Sequence, residues 1–293
     1  MTDAKRSSLA KLALLTVTLI WGMSFVVLKN ALDDISPHYM LAIRFGTASV
    51  LMVIFFWKKL RLISRKTILH GIFLGAVLMC AYSVQTIGLT TVTPGTNAFL
   101  TAVYCVIVPF LNWAAVKRTP TRANVIAAVL CLTGIGLISL TGNFTIAIGD
   151  LLTLTGGVLY AVHIVAVSRY SADSDIFALT IVQFATSAVM ASLIAVIFEK
   201  APRSIAPSSI GGIIYLAVGA TFVCLLLQNV GQKYTDPSSA SLILSLESVF
   251  GVFFSIIFYN EQITARIGGG FALIFAAVLL SEVNFKKLIR KSA

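Results

Sequence analysis

Residues 227–243 read LQNVGQKYTDPSSASLI, and residues 84–100 read VQTIGLTTVTPGTNAFL. Gln85 matches Gln228, Gly88 matches Gly231 and Pro94 matches Pro237, each pair 143 residues apart. Both passages leave an apolar, helix-like run, cross a short polar gap and begin a second apolar run at the proline. A second set of pairs extends the match. SPHYMLAIRF (residues 36–45) aligns with DIFALTIVQF (residues 175–184), which sets Arg44 against Gln183, Trp21 against Tyr160 and Ser24 against His163. One chain writes the same plan twice, about half its length apart.

Composition says which solvent that plan meets. Hydrophobic residues make up 58% of the chain and charged ones 11%, with a mean hydropathy of +0.95. A soluble domain carries about 25% charged residues, so too few are present here to cover a water-facing surface. Windows of about 20 apolar residues, the length that crosses a bilayer, fall roughly at 9–29, 36–57, 68–89, 94–115, 122–141, 149–169, 175–198, 209–232, 237–259 and 263–284. The first run is nearer 20 residues than the about 7–15 of a signal-peptide core, and it reads as a retained span. Prolines or glycines stand at or near several starts, among them Pro37, Pro94, Gly149, Pro207 and Pro237. Proline at a first helical turn lacks only an amide that would be unpaired anyway. Matched as they are, Pro94 and Pro237 are also candidate hinges.

The basic residues orient these spans. With the N-terminus in the cytoplasm, 17 of the 22 Lys and Arg fall on inner segments, four on outer ones (Lys29, Lys200, Arg203, Arg266), and Arg44 lies within a span. Such a bias predicts cytoplasmic termini in an inner membrane. It also reads the net charge of +11 as topology and contact with anionic lipid heads rather than nucleic-acid binding. The expected fold class is therefore an all-α polytopic membrane protein, ten transmembrane helices as two inverted five-helix repeats, 9–141 and 149–284. Five spans are an odd number, so the second copy enters the membrane upside down. Inverted repeats of this kind enclose substrate sites near the midplane of many carriers.

Ionisable side chains inside a span are costly and point to function. Three qualify: Arg44, His163 and Glu247. Glu247 lies about ten residues into its span, roughly 15 Å deep at 1.5 Å per residue. It is a candidate partner for a cationic amine or a coupling proton; a buried neutral acid or a structural ion pair is the plainer alternative. Arg44 can grip a substrate carboxylate in two parallel bonds, or it can serve as internal glue to a main-chain carbonyl or to Glu247. His163 can relay protons or simply pack. Trp21, Tyr82, Tyr104 and Tyr160 offer aromatic faces at similar depth, and Gln85, Asn97, Gln183, Gln228 and Asn229 offer hydrogen bonds. Tyr104 is the repeat partner of Glu247, so both should border a cavity between the halves. The candidate substrate-binding set is Glu247, Arg44, Tyr104, Trp21, Tyr82, His163, Asn97, Gln85 and Gln183. Gly71, Gly75 and Gly268–Gly270 read as close helix contacts. Cys80, Cys105, Cys131 and Cys224 have neither metal nor redox spacing and read as small buried hydrophobes.

Two further stretches carry a resemblance. TAVYCVIVPFLNWAAVKRTP (residues 101–120) and LESVFGVFFSIIFYNEQIT (residues 246–264), with Trp21-Gly22 in the first span, resemble the EamA family of the drug/metabolite transporter superfamily over about residues 9–284. The resemblance implies a ten-helix carrier with helices 1–4 and 6–9 around a central cavity and helices 5 and 10 outside it. It also implies small metabolites, amino acids or drugs as cargo, export in many relatives, and no cofactor. The family commonly ends helices 4 and 9 with Glu. This chain has Glu261 in the second copy but Arg118 in the first, and both read as helix-end electrostatics. The sequence holds no GxxxxGK[ST] loop for ATP and no HExxH metal motif, so a transporter is expected rather than an enzyme. An uptake carrier of a cationic or vitamin-like metabolite and a passive channel stay open as rivals. The expected partners are a small-molecule substrate, the lipid bilayer and a coupling proton.

Overall fold

The computed structural model describes residues 3–117, 119–139, 146–202 and 204–282. Arg118, Arg203, the far ends of the fifth and tenth expected spans and the basic C-terminal residues lie outside the described residues. The helices, in chain order, are α1 (Asp3–Ala31), α2 (Pro37–Phe56, then a tight 3₁₀ stretch Trp57–Leu62), α3 (Arg65–Thr91), α4 (Pro94–Thr101 and Tyr104–Val116), α5 (Arg122–Ser139) and α6 (Ile148–Tyr170). They continue as α7 (Ile176–Phe198), α8 (Pro207–Ile214, Tyr215–Val223 and Cys224–Lys233), α9 (Pro237–Tyr259) and α10 (Ala265–Glu282). Among the described residues eight of these are long and apolar enough to cross a membrane; Arg122–Ile138 and Ala265–Leu280 are shorter apolar helices.

The matched prolines sit in the first turns of α4 and α9. Thr93 caps α4 by accepting from the Thr96 N–H, and Asp236 caps α9 by accepting from Ser238 and Ser239. The two helices also end alike, on left-handed residues: Lys117 at φ 58° and Asn260 at φ 54°. They differ inside. α9 is continuous, whereas α4, expected as one run, breaks at Ala102–Val103 into i→i−3 bonds such as Cys105 N–H to Ala102 O. Pro109 lies one turn further on. It removes a rung of the ladder and crowds the carbonyl before it.

Packing joins the early helices to the late ones. α1 packs on α9 and α8, α3 on α6 and α7, α4 on α9 and α6, α2 on α7, and α5 on α10. The α2–α7 pair is clamped at both ends. Glu199, just past the end of α7, accepts from the backbone N–H groups of His38 and Tyr39 in the first turn of α2. At the opposite end Lys59, past α2, donates at 2.9 Å to Asp175, which caps α7. A carboxylate at a helix N-terminus meets unpaired amides and the positive end of the dipole, so each clamp also completes a helix. The helices therefore run antiparallel. Lys59, Lys66 and Lys233 lie at one end of the bundle, called the basic face below, where all three reach the α6–α7 loop.

Glycines set how closely helices approach. A Cβ on Gly75 would lie 2.5 Å from the Gln183 carbonyl oxygen, which only glycine allows. Of the four cysteines, Cys105, Cys131 and Cys224 are buried, but Cys80 is exposed. The expectation of four buried thiols is corrected for Cys80, whose face of α3 is left uncovered by the helices packed on that span.

Candidate functional site

A central cavity lies between α1, α2, α3, α4, α6, α8 and α9. It is narrow, with a cavity volume of about 40 Å³. Its aromatic wall is Trp21, Phe25, Tyr82, Tyr104 and Tyr160. Among the described residues α5 and α10, which pack against each other, contribute no lining residue, and neither does α7. The resemblance had implied α7 at the cavity. Instead its central Phe184 is fully buried against Phe45 of α2, and Gln183 turns toward α6 and α8.

Seven of the nine candidate residues meet here: Trp21, Arg44, Tyr82, Gln85, Asn97, Tyr104 and Glu247. Glu247 exposes 4% of its surface and accepts from the Tyr104 hydroxyl at 3.0 Å. Arg44 exposes 2%, donates from Nε to Thr221 Oγ1 at 2.8 Å, and lies with its guanidinium carbon 4.9 Å from the centre of the Tyr82 ring. Burial strengthens both contacts. Among the described residues Arg44 makes no salt bridge, with Glu247 or any other acid. An acid and a guanidinium thus share one aromatic cavity without neutralising each other.

Around them the polar side chains are fixed by one another. Tyr160 donates to Gln85 Oε1 at 2.8 Å, and Gln85 Nε2 donates to Thr101 at 3.0 Å. Asn97 Nδ2 donates to Thr153 Oγ1 at 2.8 Å. Tyr82 stands edge-on to both Phe45 and Tyr160, with centroids 5.2 and 5.5 Å apart. Such networks cost little only when their members are paired, and they hold the aromatic faces in place.

His163 and Gln183 stand apart from the cavity. His163 is fully buried, and its Nε2 lies 3.0 Å from Gln183 Nε2, while Gln183 Oε1 accepts from Asn229. Their helices turn these side chains toward the α6–α7–α8 contact, below the cavity wall.

Several contributors escaped the sequence reading. Thr221, the partner of Arg44, looks like any threonine in an apolar run. It belongs to the π-helical stretch of α8, where its hydroxyl donates to Leu216 O, five residues back. There Ala220 O accepts from Trp21 Nε1 at 2.7 Å, and Tyr215 donates to Ile20 O at 2.6 Å. Widened turns of this kind are frequent at functional sites because they free main-chain groups for other partners. Gln228, read from the sequence as a hydrogen-bonding group at this depth and as the repeat partner of Gln85, also lines the cavity. Ser24, the repeat partner of His163, completes the lining with Leu28, Ile164 and Leu244, and these three apolar residues carried no signal beyond apolar periodicity.

Glu261, read from sequence as helix-end electrostatics, makes specific contacts. It accepts from the Gly95 N–H at 3.0 Å and from the hydroxyls of Thr93 and Ser255. It therefore ties the α9–α10 loop to the first turn of α4. A Cβ on Gly95 would fall 2.5 Å from a Glu261 oxygen, so the clamp needs glycine there. Among the described residues no three His, Cys, Asp or Glu side chains are grouped to hold a metal ion.

Comparison with known proteins adds a lineage to this geometry. The profile of the EamA-like transporter family matches residues 8–140 and again residues 147–282. An uncharacterised transporter of Archaeoglobus fulgidus is 31% identical over 273 residues, covering 93% of this chain and 85% of that protein. The uncharacterised transporter YoaV of Bacillus subtilis is 23% identical, over 94% of this chain and 97% of its own. A solved crystal structure, 16% identical, superposes with a TM-score of 0.74 over 96% of this chain and 99% of its own, which shows the shared fold.

Proposed function

This chain belongs to the EamA-like transporter family, and we propose that it is a secondary transporter moving a small amphipathic metabolite through the central cavity. The cavity opens alternately to the two sides of an inner membrane. It does so by rocking two oppositely inserted five-helix repeats, 9–141 and 149–284, against each other, with both termini in the cytoplasm. The observation that carries the reading is the pairing of Glu247 and Arg44, buried in one aromatic-walled space without a salt bridge between them. A zwitterion satisfies both: its carboxylate faces the guanidinium, its ammonium faces Glu247, and its apolar part lies on the tyrosine and tryptophan rings. Tyr104 donates to Glu247 and so aims it. When no cargo is bound, a proton on Glu247 serves as the counter-ion, which couples cargo to proton exchange. The family resemblance favours export.

The test is flux into and out of proteoliposomes holding the full chain, with labelled amino acids, amines and uncharged analogues offered in turn. Saturable, counter-transportable flux of a zwitterionic or cationic compound is expected. Glu247→Gln and Arg44→Met should each lower kcat/KM by about 10- to 100-fold, since a hydrogen bond to a charged group contributes about 1.5–3 kcal/mol and 1.4 kcal/mol is tenfold. Flux that never saturates would favour a channel. Full activity in both variants would remove the reading.

A further inference from the structure

The basic-face half of α8 carries a run of polar side chains that begins at the cavity wall and continues beyond it. Gln228, Asn229, Gln232 and Thr235, the last just past the helix end, expose only 3%, 1%, 1% and 9% of their surfaces. Gln228 Oε1, Asn229 Oδ1, both polar ends of Gln232 and Thr235 Oγ1 have no hydrogen-bond partner among the described residues. Gln228 and Gln232, four residues apart, lie on one stripe of the helix about 6 Å long at 1.5 Å per residue, and Thr235 follows just past the helix end. The stripe's upper end is the cavity wall, where Gln228 stands. Its lower end is the basic face, where Lys233 donates to the carbonyl of Ser174, whose own hydroxyl is buried and unpartnered.

The neighbouring His163–Gln183–Asn229 chain runs alongside. Asn229 Nδ2 donates to Gln183 Oε1 at 2.9 Å and to Thr180 Oγ1 at 3.0 Å. Gln183 Nε2 meets His163 Nε2 at 3.0 Å. With the amide donating, the ring Nε2 accepts and the imidazole hydrogen sits on Nδ1, which is also unpartnered. Apolar side chains would be the more stable filling for a permanently dry helix contact, because a buried polar atom without a partner is unfavourable and hydrocarbon offers it none. Unmet amides gathered at one seam suit a surface that meets water.

We infer that this seam of α8 against α6 and α7, from Gln228 through Gln232 to Thr235, is the route by which water from the basic face reaches the Glu247 cavity. Water is the occupant, supplying the hydrogen bonds that Gln232, Asn229 and His163 lack. The inference concerns hydration and does not rest on any cargo. It would also give a coupling proton its path on that side.

The experiment uses sealed vesicles of each orientation carrying the full-length chain with Cys80, Cys105, Cys131 and Cys224 replaced by alanine. Single cysteines are placed by Gln232→Cys, Asn229→Cys and, as a reference on the exposed face of α3, Ile72→Cys. A charged, membrane-impermeant thiosulfonate is added outside. From the basic face it should modify Gln232→Cys and Asn229→Cys at least about tenfold faster than Ile72→Cys, because a thiol reacts as the thiolate that water stabilises. From the other face it should not. Gln232→Leu added to Asn229→Cys should slow labelling by blocking the stripe. Among the described residues the Gln232 side chain makes no hydrogen bond for Gln232→Cys to break, so this variant remains informative even if Asn229→Cys is unstable. In the unsubstituted chain, hydroxyl radicals made from water should oxidise His163 well above the equally buried Phe45 and Phe184. Labelling no faster than at Ile72→Cys, with His163 unoxidised, would overturn the inference while leaving flux measurements to judge transport separately.

Discussion

Replacing Glu261 by alanine should destabilise the whole bundle although the residue lies in a loop. Its carboxylate is buried, with 9% of the residue exposed, and accepts from the Gly95 N–H and from the hydroxyls of Thr93 and Ser255. A hydrogen bond to a charged group contributes about 1.5–3 kcal/mol net. The alanine variant loses three, but the two hydroxyls can turn toward other acceptors. The Gly95 amide cannot: it belongs to the first turn of α4, whose N–H groups have no partner within the helix. Counting one full loss there and about 1 kcal/mol for each hydroxyl gives roughly 3–5 kcal/mol. Glu261→Gln keeps one carbonyl oxygen for the Gly95 amide and should lose about half of that. Thermal unfolding in detergent, followed by loss of the monodisperse chromatographic peak, ranks parent, Gln and Ala. At about 2 °C or more per kcal/mol for a chain of this size, Glu261→Ala should fall by at least about 6 °C. Thr93→Val should cost far less in the Glu261→Ala background than in the parent, since the partner is already gone. An alanine variant within about 2 °C of the parent, or strictly additive losses in the pair, would refute the clamp.

Other expectations can be measured alongside. Burial pushes the Glu199 carboxyl up, but the His38 ring and the His38 and Tyr39 amides outweigh it and hold it below the usual carboxylate value. A lowered carboxylate stabilises the fold above its unfolded pKa of about 4.3 and loses that contribution as pH falls through the folded value. Glu199→Gln should therefore melt below the parent at pH 7, and the gap should close as the pH of the melt is taken below about 4; a constant gap would contradict this. Thr221→Val keeps the shape but removes the acceptor for Arg44 Nε, and should cost about 1.5–3 kcal/mol in stability. It should also raise KM for carboxylate-bearing cargo more than for simple amines, and an equal effect on both would argue against Arg44 as the carboxylate partner.

Hydropathy and the matched prolines, glycines and glutamines made the helical spans legible, because a chain in lipid must satisfy its backbone within each segment and must write long apolar runs to do so. The same economy made Glu247 and Arg44 conspicuous, since hydrocarbon tolerates few charges. Less visible was what each buried polar group touches. His163 and Arg44 are equally rare in such runs, yet one faces the α6–α7–α8 contact and the other the cavity. Cys80 and Cys105 sit in similar apolar text, but one meets the bundle's surface and the other its core. Glu261 reads as a loop acid until α4 is placed beside it. The amino-acid order alone determined that this chain crosses a membrane many times on a duplicated plan and carries a few polar groups at depth. Tertiary structure decided which of those groups share a space, because pairing depends on how each helix is rotated against its neighbours, and that rotation is set by close contacts such as Gly75 on Gln183 rather than by hydropathy.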